Sequence, residues 1–193
     1  MNTLDTPQWL ERIGGLASQL VEGDLSALGP LFDLIGPRLV RYASALLRND
    51  SDAEDVVQTA IVRLARHPES LAAARMPWAY CLQVVRNEAM RLLSKRRQTV
   101  MLPEQSLASP FRSWSIEEEE TRQQVLRAVR RLPDEQGEVV ILKVWENLTF
   151  LEIAAVTGES PNTVASRYRY ALEKLERSLE SLAEEVCDVS ARR

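Results

Sequence analysis

The spacing of apolar residues constrains the fold most, because it recurs at three and four positions through most of the chain. One example is the stripe of Trp9, Ile13, Leu16 and Leu20 near the N-terminus. Such spacing places apolar side chains on one face of a helix. Alternating runs bounded by hairpin dipeptides, which would indicate strands, are nearly absent. The sequence therefore predicts an all-α protein.

A stretch with prolines and serines separates two predicted small helical domains. The stretch at 98–120 contains Pro103, Pro110, several serines and an acidic run, so we expect a flexible linker that buries little. The last residues are polar and acidic, and we expect a disordered tail there. The predicted boundaries are an extra N-terminal helix at 1–24, a first domain at 25–97, the linker at 98–120, a second domain at 121–183 and the tail at 184–193.

The residues that most often carry catalysis or bind metals are scarce. His67 is the single histidine among 193 residues, and Cys81 and Cys187 are too far apart for a C-x-x-C site. No Gly-rich phosphate loop or nucleophile–base pair is visible. We therefore expect no enzyme, no cofactor and no metal. No apolar run approaches the roughly 18–20 residues that span a bilayer, and the N-terminus lacks signal-peptide features, so we expect a cytoplasmic protein without membrane insertion.

Charge is unevenly distributed along the chain. Residues 1–97 carry 12 basic and 11 acidic side chains, a net of +1, whereas residues 98–193 carry 12 and 17, a net of −5. An acidic chain is not a general nucleic-acid binder, so any such binding must depend on local basic clusters. One cluster ends the helix predicted at about 78–96.

Two segments of the first domain carry local signals, one for a capped helix with a polar face and one for a break in a helix. Ser51-x-x-Glu54 fits a capping box for a helix that ends at His67-Pro68, and a loop should follow as far as Pro77. Asp55 and Gln58 fall on the face of that helix opposite its apolar stripe. A second helical stretch, at about 25–48, contains Pro37, which should interrupt or kink it.

The strongest functional signal lies between residues 149 and 175. Thr149-x-x-Glu152 fits a capping box, Gly158 suits a tight turn, and Ser160-Pro161 fits an N-cap with proline in the first turn. This spacing indicates a helix-turn-helix, whose second helix enters the major groove. The alternative is a plain helical hairpin that binds protein or nothing. The residues expected to project from the second helix are Asn162, Thr163, Ala165, Ser166, Arg167, Arg169 and Tyr170.

The sequence resembles a known family at several motifs. DAEDVVQ at 52–58, VVRN at 84–87 and KRR at 95–97 resemble region 2 of sigma-70-family sigma factors. LPDEQ at 132–136, TFLEIA at 149–154 and NTVASR at 162–167 resemble region 4. Two such domains with a short linker resemble the extracytoplasmic-function (ECF) group.

The resemblance implies partners and roles for particular residues. The region 2 helix would bind the clamp helices of the β′ subunit of core RNA polymerase, through Asp52, Asp55, Gln58 and Thr59. The −10 promoter element would contact Tyr80, Arg86, Asn87, Arg91, Lys95, Arg96 and Arg97, and Tyr80 would stack on unpaired bases. The second helix of the helix-turn-helix would read the −35 element. An anti-sigma factor is a further partner implied by the family.

Some positions depart from the family pattern. Thr59 and Arg91 stand where acidic residues are usual, and Ala165 and Tyr170 stand where basic residues are common. These departures, with the acidic balance, leave open a sigma-like adaptor that sequesters an anti-sigma factor without binding DNA. A repressor that uses only the helix-turn-helix is a further alternative, but it would leave the region 2 motifs unexplained.

Overall fold

A computed structural model describes residues 6–98 and 128–191, with side chains at 8–96 and 128–177. Every regular element within these ranges is helical, and the chain forms two compact units. The predicted all-α, two-domain architecture is therefore confirmed. Apart from Gln98, the predicted linker lies outside the described residues.

Within residues 6–98, the first unit contains five α-helices. Their bounds are α1 at Thr6–Val21, α2 at Leu28–Leu47, α3 at Asp50–Arg66, α4 at Pro68–Ala72 and α5 at Pro77–Gln98, with a 3-10 turn at Leu25–Ala27. Helix α2 packs against α1, α3 and α5, and α1 also packs against α4 and α5. Fully buried apolar side chains come from all five helices, for example Ile13, Leu39, Val57, Leu71 and Leu82.

Helix α1 is part of this core. Ile13 and Ala17 are fully buried. The rings of Trp9 from α1 and Trp78 from α5 meet edge to face, with centroids 4.8 Å apart. The guanidinium of Arg38 from α2 lies 4.2 Å from one ring centroid and 4.7 Å from the other. This cation–π cluster connects three helices, so the extra N-terminal helix is built into the first unit.

Several sequence-based expectations for local structure were wrong. The N-cap of α3 is Asn49, whose side chain accepts a hydrogen bond from the Asp52 N–H, and not Ser51, which lies exposed inside the helix. The short helix α4 occupies part of the predicted loop, because Pro68 suits a first turn and Leu71 is buried. Helix α2 continues through Pro37 without the expected interruption, and a kink there stays a prediction.

The second unit, here taken as the described residues 128–191, is smaller. It comprises a helical turn at 128–130, α6 at Asp134–Val144, α7 at Phe150–Thr157 and α8 at Pro161–Ala191. Helix α6 packs against α8. Among its described side chains, those that are fully buried include Val139, Leu142, Ile153, Val164 and Ala171. Helix α8 is described as far as Ala191 and so extends into the segment predicted as a tail, whose boundary and disorder stay predictions.

Candidate functional site

The exposed face of α3 presents three of the four side chains predicted to bind polymerase. Asp55, Gln58 and Thr59 are exposed, while Val56 and Val57 on the other side are buried. The Thr59 hydroxyl donates a hydrogen bond to the Asp55 carbonyl oxygen at 2.9 Å. The face thus offers an exposed carboxylate and an exposed amide, with a threonine hydroxyl that already has a partner.

Asp52, the fourth of these residues, faces α5 instead of solvent. Its side chain is 18% exposed, and its Oδ2 atom pairs with the guanidinium of Arg96. This oxygen has no hydrogen bond of good geometry, so the contact is an ion pair. Asp52 also lies in the first turn of α3, where the helix dipole favours a negative charge. The Asp52–Arg96 pair therefore connects the helix predicted to bind polymerase to the helix predicted to bind DNA.

The last turns of α5 form a basic surface, here called the basic end of α5. Asn87, Arg91, Lys95 and Arg96 are exposed, and Arg86 is half-buried. The side chain of Arg97 lies outside the described residues. Tyr80, near the start of the same helix, is half-buried, whereas Trp78 is 3% exposed and belongs to the core. Of these two aromatic rings, only Tyr80 is accessible enough to stack on an unpaired base.

Glu88 organises part of this surface. Its Oε1 atom accepts hydrogen bonds from Arg91 at 2.8 Å and from Arg63 of α3 at 3.0 Å. The Glu88 side chain is 12% exposed, and the two arginines are 60% and 48% exposed. Because both arginines are largely exposed, the two ion pairs contribute little stability. Their main effect is to restrict where the Arg91 guanidinium lies.

The second unit contains the predicted helix-turn-helix geometry. The Glu152 carboxylate accepts hydrogen bonds from the Thr149 N–H and hydroxyl, both at 2.7 Å, and the Glu152 N–H donates to Thr149 Oγ1 at 3.3 Å. Gly158 has φ +77°, the left-handed conformation that favours glycine. Ser160 Oγ accepts from the Thr163 N–H at 3.1 Å, with Pro161 in the first turn of α8. The local predictions for this motif are therefore confirmed.

Tertiary contacts fix which side of α8 faces outward. Val164 and Ala171 are fully buried, and the Tyr168 ring lies 5.7 Å from that of Phe150. The opposite side is open to solvent. We refer to the part of α8 from Pro161 to Tyr170 as the recognition helix.

The seven residues predicted to bind DNA fall into two groups on the recognition helix. Asn162, Ser166, Arg169 and Tyr170 are exposed, whereas Thr163, Ala165 and Arg167 are half-buried. The Thr163 hydroxyl is 2.8 Å from that of Ser160, so it belongs to the cap. The Arg169 guanidinium lies 5.0 Å from the centroid of the Tyr170 ring. An exposed asparagine and arginine can read base edges in a major groove.

Metal binding, cysteine reactivity and membrane spanning have little support in the described residues. Within residues 6–98 and 128–191, no three His, Cys, Asp or Glu side chains are grouped to hold a metal ion. Cys81 is fully buried, and burial raises its pKa to about 12, so the thiol stays protonated at neutral pH and is a poor nucleophile. No helix in the described ranges is long and apolar enough to cross a membrane.

Comparisons with known proteins match both units. A family model of sigma-70 region 2 matches residues 31–99, and one of sigma-70 region 4 matches residues 122–175. The RNA polymerase sigma-E factor of Streptomyces avermitilis is 32% identical over 143 residues, which cover 74% of this chain and 79% of the relative. The chain belongs to the ECF group of sigma-70-family sigma factors.

More distant similarity extends over more of this sigma factor. The ECF RNA polymerase sigma factor SigL of Mycobacterium tuberculosis is 29% identical over 178 residues, covering 90% of this chain and 98% of the relative. The structure of CnrH in complex with the cytosolic domain of CnrY matches with a TM-score of 0.67 and 23% identity, over 88% of this chain and 98% of that chain. RpoE of Bartonella quintana, in complex with the anti-sigma factor NepR, matches with a TM-score of 0.64 and 23% identity, over 77% and 94%. These two structures support the fold.

The sequence of this sigma factor did not predict several residues that shape these surfaces. They are Arg63 and Glu88, which position Arg91, and Glu159, which contacts Arg167. The i, i+3 spacing of Glu88 and Arg91 was a usable signal. Nothing in the local sequence indicates the contact between Arg63 and Glu88, which are 25 positions apart.

Proposed function

We propose that this sigma factor gives RNA polymerase its promoter specificity by binding the core enzyme and recognising −10 and −35 elements. The observation that carries the proposal is the recognition helix, which is capped at Ser160, seated through Val164 and exposes Asn162, Ser166 and Arg169. This arrangement meets the geometric requirement for major-groove recognition. Ser166 and the Tyr170 hydroxyl suit phosphate oxygens.

The exposed face of α3 is the proposed contact with the β′ clamp helices. Asp55 and Gln58 project from a helix whose other side is buried in the core, so they are presented on a rigid support. Thr59 adds only a small polar surface, since its hydroxyl already bonds to the Asp55 carbonyl oxygen. Asp52 supports this surface indirectly through its ion pair with Arg96.

The basic end of α5 is the proposed site for the opened −10 element. Lys95 and Arg91 supply positive charge for phosphates, and Asn87 is an exposed group that can hydrogen-bond to a base. Unstacking a base costs on the order of a few kcal/mol. Stacking on an aromatic ring such as Tyr80 returns roughly 1–3 kcal/mol per base. Capture of unpaired bases therefore favours the open state of the promoter.

Regulation by a protein partner is part of the proposal. CnrH and RpoE are seen in complexes with the CnrY cytosolic domain and with the anti-sigma factor NepR, and we infer that an anti-sigma factor also binds this chain. The sigma factor itself would carry out no catalysis, since the polymerase forms the phosphodiester bonds. Its activity requires access to the chromosome, so we expect it in the cytoplasm.

Run-off transcription with purified core polymerase and a genomic promoter pool tests the proposal. We expect the wild-type chain to direct initiation at a subset of promoters. Arg167→Ala combined with Arg169→Ala should lower initiation by about 30-fold or more, since each base contact contributes roughly 1–3 kcal/mol. Lys174→Ala combined with Arg177→Ala removes the same charge from later turns of α8 and should have a much smaller effect.

Two results would contradict the proposal. One is a well-folded wild-type chain that initiates at no promoter. The other is activity in cells that survives loss of Arg167 and Arg169, which would favour the adaptor that only sequesters an anti-sigma factor. Nothing in the fold or in the comparisons favours that adaptor at present.

A further inference from the structure

An acidic residue lies at the entrance to the recognition helix and contacts one of its arginines. Glu159 stands between the turn glycine, Gly158, and the N-cap, Ser160. Its Oε1 atom accepts a hydrogen bond from Arg167 Nη2 at 3.0 Å. The two side chains are 38% and 28% exposed, so the pair is partly shielded from solvent.

The contact spans eight positions of sequence, about two helical turns, and it fixes a long side chain. An arginine reads a guanine through two parallel hydrogen bonds, which requires its planar guanidinium to be presented in one orientation. A carboxylate that holds one nitrogen of the fork restricts the orientations left to the others. Arg169, by comparison, is exposed and lies beside the Tyr170 ring.

The same carboxylate also lowers attraction to any DNA. Among the described side chains from 159 to 177, the cations are Arg167, Arg169, Lys174 and Arg177, and the anions are Glu159, Glu173 and Glu176, so the net charge is +1. An anion near DNA phosphates opposes sequence-independent binding. Glu159 therefore acts against general affinity while it orders a residue that can read sequence.

Glu159 has little value as a structural brace. A single ion pair that is still partly exposed contributes little to stability, and the turn and the helix start are already secured by Gly158, Ser160 and Val164. A role in recognition explains its position better than a role in folding.

We propose that Glu159 is a positioning residue for −35 recognition, which raises sequence discrimination by orienting Arg167 and lowers non-specific DNA binding. The inference rests on the proposed function, because it assumes that the recognition helix enters a −35 major groove. It assigns to this chain a specificity-determining residue outside the recognition helix itself.

The test uses the full-length sigma factor with core polymerase on a promoter pool that has a fixed −10 element and a randomised −35 element. Base preference is measured by sequencing the transcripts, and DNA affinity is measured across a salt series. Glu159→Gln keeps the shape of the side chain and removes its charge. Glu173→Gln is the matched control, because it removes one exposed charge from α8 farther along the helix.

We expect Glu159→Gln to lower base preference at the same −35 position where Arg167→Ala lowers it. The loss should be about fivefold or more, because fivefold is the lower end of the discrimination that one base contact provides. The affinity for DNA should also fall more steeply with salt, by about one additional released counterion, since a released Arg167 can bind phosphate. Glu173→Gln should leave base preference unchanged. In an Arg167→Ala background, Glu159→Gln should cause no further loss.

The inference is overturned if Glu159→Gln keeps the wild-type preference, or if its effect persists without Arg167. It is also overturned if Arg167→Ala has no effect on preference while the wild-type protein initiates normally. Failure of the wild-type protein to initiate at all would instead remove the proposed function. Thermal unfolding of Glu159→Gln, expected to match the wild type, verifies that a change in preference does not come from loss of structure.

Discussion

The two units position their functional surfaces by different means. The basic end of α5 depends on ion pairs from α3, in which Asp52 pairs with Arg96 and Arg63 with Glu88. The recognition helix depends mainly on neighbours in sequence, namely the capping groups at Thr149 and Ser160 and the turn at Gly158. The first arrangement exists only once two helices have packed, whereas the second arises from short segments of chain.

This difference has a functional consequence. In the first unit, the ion pairs connect the helix proposed to bind polymerase with the helix proposed to bind DNA, so we expect a change at one surface to affect the other. In the second unit, the caps fix where α8 begins, and buried Val164 and Ala171 fix which side faces outward. Variants that remove each kind of support should separate the two arrangements.

The largest effect is expected in the core of the first unit. Ile13→Ala should destabilise this unit by about 2–5 kcal/mol, because it removes a fully buried side chain that connects α1 to the rest of the core. The measurement is amide hydrogen exchange in α2 and α5. Val21→Ala, on the same helix but 50% exposed, is the control and should change little. If Ile13→Ala changed exchange as little as Val21→Ala, α1 would add nothing to the stability of the core.

A smaller effect is expected at the turn of the second unit. Gly158→Ala should cost about 1–2 kcal/mol, because a Cβ disfavours φ +77°. Among the described residues, no atom beyond Gly158 and its two chain neighbours lies within 4 Å of the added Cβ, so the cost comes from the backbone conformation and not from a clash. Gly158→Asn should be tolerated better, since asparagine adopts this conformation more readily. Thermal unfolding is the measurement, and equal melting temperatures for the alanine and asparagine variants would contradict the conformational argument.

The cap of the recognition helix should contribute somewhat less. Ser160→Ala should destabilise α8 by about 1 kcal/mol, because the Thr163 N–H loses its acceptor. Faster exchange of the Thr163 amide is the direct measurement. Ser160→Asp restores an acceptor and should recover protection. If alanine left that amide as protected as in the wild type, the recognition helix would not depend on its cap.

The smallest effect is expected for the ion pair between α3 and α5. Asp52→Asn should cost roughly 0.2–1 kcal/mol at low salt and less at high salt, since both partners are partly exposed. Chemical unfolding of the first unit at two salt concentrations measures this change. Glu54→Gln, an exposed position on α3, is the control. A loss that did not depend on salt would mean that Asp52 acts through packing and not through its charge.

Local signals in the sequence predicted the second unit well and the first unit less well. Thr149, Gly158 and Ser160 behave as their residue types predict, because capping and positive φ depend on groups only a few positions apart. At the start of α3, four capping residues stand in a row from Asn49 to Asp52, so the sequence did not distinguish Asn49 from Ser51 as the cap.

Contacts between distant residues account for most of what was missed. The predicted polymerase and DNA surfaces are exposed as expected at Asp55, Gln58 and Asn162, but Asp52 turns toward Arg96. The cluster of Trp9, Arg38 and Trp78 joins three helices, and no single segment contains a sign of it. The roles of the predicted site residues and the domain boundaries stay predictions.

By itself the sequence determined the helical class, the capped turn before the recognition helix and membership of a family through its motifs. Those properties depend on side chains and backbone groups within one or two helical turns. The tertiary structure alone decided that α1 belongs to the first core, that Asp52 pairs with Arg96 and that Glu88 contacts Arg63. Such pairings depend on which helix faces pack together, and that choice is made by burial across the whole unit.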